Sequence, residues 1–337
     1  MKFLVTFLAT LLAVVNSAAG APPPVVPYID EGGRAAFADF LLSDRHAAFA
    51  VSPTGAWGYA SVMPSAQRAA DRALDLCQRG SRHSACFLYA ANGRVLKDGR
   101  LPRPVREPHI AAGPFTVPPG YPHLGPGKAR GAIVWSHGKL GGGADSRISP
   151  VQPWLRRFVA AGYDLYRFDR EPGQDDVAWA TAKMVEGAQA LRQRGYRNVI
   201  SAGQSRGGWH GIEALAVAGP LFNAAIAVAP AMHGIIARTG LQAEAMADYR
   251  RMIGAIEAPA GRVAIVLFPG DEYDPDTGAR AALASEGLAA ARVPHLVMVP
   301  PDFAGHGGGT GRAFADRYAE CLFRFATGKA ADCGERG

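Results

Sequence analysis

A serine between two glycines, a histidine on a glycine-rich loop and a cluster of aspartates form a set capable of nucleophilic acyl transfer. Ser205 lies in G-Q-S-R-G, from Gly203 to Gly207. The bare G-x-S-x-G pattern decides little, and its setting decides more. The residues from Val199 to Ala202 read as a buried strand and those from Gly207 onward as a helix, so Ser205 falls in the sharp turn between them. A nucleophile in such a turn needs a strained backbone, and the flanking glycines leave room where strand and helix crowd each other. The hydroxyl needs a base. His306, in D-F-A-G-H-G-G-G-T-G, follows the last strand on a loop that can reach over the strand ends. The imidazole in turn needs a carboxylate to hold its tautomer and stabilise its charged form. The preceding strand ends in V-L-F-P-G-D-E-Y-D-P-D, which offers Asp271, Glu272, Asp274 and Asp276. Asp274, followed by proline, best fits the turn after this strand, with Asp271 as the alternative acid. Asp302 reads as a local loop cap.

The reaction also needs donors for a developing oxyanion. The amide of Arg206, at the start of the helix, is one. Upstream, I-V-W-S-H-G-K-L-G-G-G runs from Ile133 to Gly143 at the end of a strand. Its Lys139 amide is the second expected donor, with Leu140 as the alternative. A phosphate-binding reading of this loop lacks the Walker spacing, and no G-x-G-x-x-G opens a helix there. Tyr273, Met232, His233 and Trp209 are the expected pocket wall, and His210 reads as pocket wall or structural.

These residues must be held by a regular framework. From Gly131 onward the sequence alternates strand and helix. The strands are expected at 131–136, 164–168, 198–202, 224–229, 263–268 and 295–299. The helices are expected at 151–161, 176–194, 207–218, 241–256, 277–291 and 312–326. The strands are short continuous apolar runs, as when helices cover both sheet faces. The repeated unit implies a doubly wound, mostly parallel α/β sheet, with its site beyond the carboxyl ends of the strands.

From about Gly131 to Ala326 the chain resembles the α/β-hydrolase superfamily, in particular small dienelactone-hydrolase-like and secreted esterase-like members. The H-G segment, the G-Q-S-R-G turn, the acid after the penultimate strand and the late-loop histidine carry the resemblance, in the chain order Ser, Asp, His. Members often carry Gly-x-x-Asp in the acid loop, and that spacing here falls on Tyr273. The resemblance implies a serine hydrolase that cleaves carboxylic esters through an acyl-enzyme, with no metal or organic cofactor. A serine peptidase or amidase would use the same triad, and a non-catalytic binding protein could use the same scaffold.

Ahead of this region, residues 32–98 read as a small α+β domain, with helices at 33–42 and 65–78 and strands at 46–52, 58–63 and 85–91. A Pro- and Gly-rich linker is expected over 99–127, with the catalytic domain over 128–337. Residues 1–21 have the layout of a secretory signal peptide: one lysine, a short apolar run, then small residues. Cleavage is expected between Ala18 and Ala21, for a secreted or periplasmic protein. Export makes disulfides expected, and the near neighbours are Cys77 with Cys86 and Cys321 with Cys333. Each closes a loop of about 10 residues, worth roughly 2–3 kcal/mol. The net charge of +7 is scattered rather than striped. That favours a soluble basic surface over a nucleic-acid partner, and no stable membrane span is expected. The expected partner is a small or medium ester substrate.

Overall fold

The computed structural model describes residues 26–44, 46–81, 84–101, 109–141, 144–259, 261–329 and 333. The expected signal peptide and its cleavage site lie outside these residues.

The first unit contains α1 (Glu31–Leu41), β1 (Ala48–Val51), β2 (Trp57–Ala60), α2 (Ala66–Gly80), β3 (Phe87–Ala91) and β4 (Arg94–Val95). Its strands form a sheet in the order β2-β1-β3-β4. Alternation along β1 separates two thin cores. Phe49 and Val51 face α1 and pack with Phe37 and Phe40, whereas Ala48 and Ala50 face α2 and meet Ala69, Ala73 and Cys77. Small residues let α2 lie close on the sheet: a β-carbon at Gly58 would stand 2.5 Å from the Cys77 nitrogen. Asp30 and Ser65 cap the two helices through their side chains. Cys77 is disulfide-bonded to Cys86, which ties α2 to the strand that follows.

The second unit contains β5 (Ala111–Ala112), β6 (Phe115–Thr116), β7 (Gly131–Ser136), α3 (Arg156–Ala160), β8 (Tyr163–Phe168), α4 (Val177–Gln193), β9 (Val199–Gln204) and α5 (Arg206–Ala218). It continues with β10 (Ala224–Val228), α6 (Ile236–Thr239), α7 (Gln242–Gly254), β11 (Arg262–Val266), α8 (Thr277–Ala290), β12 (His295–Met298) and α9 (Arg312–Ala326). Its eight strands run in the order β12-β11-β10-β9-β7-β8-β6-β5. From β8 to β12 all pairs are parallel, and β6 pairs antiparallel with both β5 and β8. One face packs on α4, α5, α7 and α8 through residues such as Met184, Ile212, Tyr249 and Leu288. The other packs on α3 and α9 through Trp154, Phe158, Phe314 and Phe323. Cys321 of α9 is disulfide-bonded to Cys333. This is the α/β-hydrolase architecture, with a small α+β domain before it.

The expected linker is corrected: part of 99–127 forms the hairpin β5–β6 at the edge of the large sheet. The helix expected over 151–161 is a 3-10 turn at Pro153–Leu155 followed by the short α3. Asp44 joins the two units. Its carboxylate accepts from Tyr121 O–H at 2.7 Å and from the Val151 amide at 2.5 Å, and Arg167 stands 3.9 Å away. Arg156 donates to the Leu42 carbonyl at 2.6 Å.

Candidate active site

The strands end level at one edge of the sheet. Ser136 pairs with Gly203, Gln204 with Val228, Val228 with Val266, and Val266 with Met298. The loops leaving that carboxyl edge carry the candidate residues, where open α/β sheets bind ligands.

Strand β9 runs to Gln204 and α5 begins at Arg206, so Ser205 alone makes the turn. Its backbone takes φ 54 and ψ −125, a costly conformation for a residue with a side chain. The surroundings over-determine it. Its amide donates to the Val228 carbonyl at 3.0 Å, and its carbonyl accepts from the Trp209 amide at 3.1 Å. A β-carbon at Gly203 would stand 2.3 Å from the Gly207 carbonyl carbon, and one at Gly207 would stand 2.0 Å from the Ser136 oxygen. Strand, helix and neighbouring strand therefore touch backbone to backbone. Gly207→Ala is expected to destabilise the protein by about 1–3 kcal/mol, read as a lower urea midpoint. Gly254→Ala, where a β-carbon meets nothing within 4 Å, should have the opposite sign.

His306 Nδ1 lies 2.9 Å from both carboxylate oxygens of Asp271, so it donates to the acid and Nε2 is left as the basic nitrogen. Asp271 is buried and its Oδ1 also accepts from the Tyr273 amide at 2.9 Å. Two further bonds tie the histidine loop down. The Gly305 amide donates to the Pro269 carbonyl at 2.8 Å, and Gln204 Nε2 donates to the His306 carbonyl at 3.2 Å. The second links the histidine to the residue before Ser205. The Tyr273 ring lies against the imidazole, with centroids 4.1 Å apart. His306 makes no hydrogen bond to Ser205 Oγ in this structure. Catalytic hydrogen bonds often tighten only when substrate is bound.

The acid that meets the histidine is thus Asp271, the alternative, and the expectation for Asp274 is corrected. Asp271 leaves the sheet directly after the chain passes Phe268. Asp274 lies one turn further on, where it pairs with Arg280 of α8 at 3.3 Å. Both side chains are at most 2% exposed. Arg280 also donates to the Pro230 carbonyl at 2.7 Å and lies over the Tyr249 ring. Asp274 is committed to that buried pair.

The loop after β7 passes against the serine: a β-carbon at Gly138 would lie 3.1 Å from Ser205 Cβ. The Leu140 amide donates to Ser146 Oγ at 2.9 Å and is occupied. The amides of Lys139 and Arg206 have no acceptor among the described residues. A buried network sets this loop. His137 Nδ1–H donates to the Gly138 carbonyl at 2.7 Å, and Nε2 accepts from the Arg170 amide at 3.0 Å. Burial and the Arg170 charge hold His137 down to about 4, so it stays neutral. The Arg170 side chain donates to Ser136 Oγ at 2.7 Å and to the His137 carbonyl, and it pairs with Asp175 at 2.7 Å. Arg170, Asp175 and Gln204 were not singled out from the sequence. Their roles come from partners that the fold brings together, such as Ser136 and His137 for Arg170 and the His306 carbonyl for Gln204, and their residue types alone do not mark them.

A cavity of about 310 Å³ opens beside Ser205, lined by Lys139, Arg206, Met232, Arg238 and Tyr273 among others. Met232 and Tyr273 both line this cavity. His233 instead lines a neighbouring cavity of about 980 Å³, with its Nε2 2.9 Å from Asp248. The expectation for Trp209 is corrected: it is buried under the site against Tyr249, with Nε1 donating to Glu213. One helical turn past Ser205, its side chain points to α7 rather than to the cavity. His210 is wholly buried, and burial drives it well below its ordinary value.

No family model matches the chain, and no curated protein does. Among solved structures it is similar to a truncated carbohydrate esterase from gut microbiota, at 11% identity over 65% of this chain and 95% of that one, TM-score 0.46. It is similar to Thermogutta terrifontis esterase 2, at 20% identity over 60% of this chain and 84% of that one, TM-score 0.45. A Mycobacterium tuberculosis puromycin-hydrolyzing peptidase matches at 16% identity over 63% of this chain, TM-score 0.46. The chain spans only 36% of that longer protein. It is the strand order and the turn at Ser205 that assign this chain the α/β-hydrolase fold.

Proposed function

We propose that the protein is an exported serine hydrolase that cleaves carboxylic esters through Ser205, His306 and Asp271. The observation that carries this reading is a serine at positive φ in a one-residue strand–helix turn, with a bonded His–Asp pair tied back to that turn through Gln204. In the proposed cycle His306 Nε2 takes the Ser205 proton as Oγ attacks the ester carbonyl. The tetrahedral oxyanion is held by the amides of Lys139 and Arg206. His306 then protonates the departing alkoxide, leaving an acyl-serine. Water attacks this ester, gives its proton to His306, and the acid leaves as Ser205 recovers that proton. Asp271 holds the imidazole in the required tautomer and stabilises its charged form.

The cavity volume lies at the small end of ligand pockets, about 300–1,000 Å³, which suits small esters. Two disulfides fit export, and no helix among the described residues is long and apolar enough to cross a membrane. A fluorophosphonate probe should label the purified protein, and Ser205→Ala should abolish the labelling. An unlabelled parent, or a variant that still labels, would overturn the reading.

A further inference from the structure

The charged side chains on the wall of the Ser205 cavity are Lys139, Arg206 and Arg238, and no carboxylate lines it. The Arg206 guanidinium is held by carbonyls rather than carboxylates: it donates to Met232 O at 2.7 Å and to Asp175 O at 3.3 Å. Nearby negative charge is already shared. Asp175 is bonded to Arg170 at 2.7 Å and stands 4.0 Å from Lys139 Nζ. Asp176 caps α4 by accepting from the Trp179 amide. Arg238, on the short helix α6, has no ion pair among the described residues. A small cavity with this wall disfavours cations and offers a carboxylate several donors. A neutral ester would leave that field unanswered.

Resting on the ester-hydrolase reading above, we propose that the substrates are esters carrying a carboxylate a few atoms from the scissile carbonyl. Half-esters of short dicarboxylic acids are the simplest members of the class. Arg238 and the Arg206 guanidinium hold the free carboxylate and so position the ester over Ser205. Arg238 is the specificity-determining residue, since Arg206 also occupies the turn.

The test compares monoethyl succinate with diethyl succinate on the mature protein, with kcat/KM measured by acid release. The half-ester is expected to be favoured by about tenfold or more, the scale of one charge-assisted hydrogen bond. Raising ionic strength should shrink this ratio, because the donors are partly exposed. Arg238→Gln should lower the ratio by about tenfold. Arg238→Glu should reverse the charge preference, raising butyrylcholine relative to monoethyl succinate. Equal kcat/KM for the two succinates in the parent, or a ratio that neither variant moves, would overturn the proposal. Calorimetric titration of the Ser205→Ala variant separates the two readings. Binding of the half-ester without any turnover by the parent would sink the hydrolase reading and keep the anion site. Turnover of both esters with no charge preference would do the opposite, and absence of both binding and turnover would end both.

Discussion

Ser205→Ala is expected to lower kcat for a small ester by about a millionfold, leaving only the residual acceleration that binding and oxyanion donors provide. In the proposed cycle the size follows from the loss of the atom that forms the acyl-enzyme. The fold should survive. The bonds that hold the turn are made by the Ser205 amide and carbonyl, which alanine keeps. Alanine also suffers no more than serine at φ 54. Steady-state kinetics with an active-site titrant reads the first effect, and urea denaturation the second. A variant that retained more than about one per cent of kcat would remove Ser205 from the mechanism, since loss of a triad nucleophile can cost about a millionfold.

The two candidate acids should separate cleanly, one by rate and the other by stability. Asp271→Asn keeps the shape of the side chain but cannot hold the imidazole in the donor-to-acid tautomer. It is expected to lower kcat by about 10⁴-fold with a small change in unfolding free energy. Asp274→Ala should do the reverse. It strands Arg280 in a site where that side chain is 2% exposed, at a cost of about 3–5 kcal/mol. The folded fraction should stay active, because the Asp271–His306 pair is untouched. If Asp274→Asn abolished turnover in folded protein while Asp271→Asn did not, the acid assignment would be inverted.

Much of the framework was legible because the central strands are buried on both faces. Runs such as 132–135 and Ala224–Val228 are therefore apolar without interruption, and helices of predictable length separate them. The hairpin β5–β6 was not legible: each strand has two residues in a Pro- and Gly-rich stretch, too short for any periodicity to register. Ser205 and His306 could be singled out as candidates because a single turn and a single late loop offered one each. The acid could not, because Asp271 and Asp274 share one loop and identical chemistry. What separates them is a partner on α8, Arg280, and a packing neighbour on α7, Tyr249, both fixed only by the tertiary fold. Trp209 was misassigned for a related reason. Its place one turn from the serine suggested the cavity, but the helix phase turns it toward α7.

The Asp44 contacts bear on how the polypeptide can be cut and joined. A carboxylate that accepts an amide proton and a phenol from the far side of a boundary leaves both donors wanting when it is taken away. The small leading unit is consequently no pendant on a string. Severed between its last strand and the β5–β6 hairpin, the remaining part would bare a polar scar at Tyr121 and Val151.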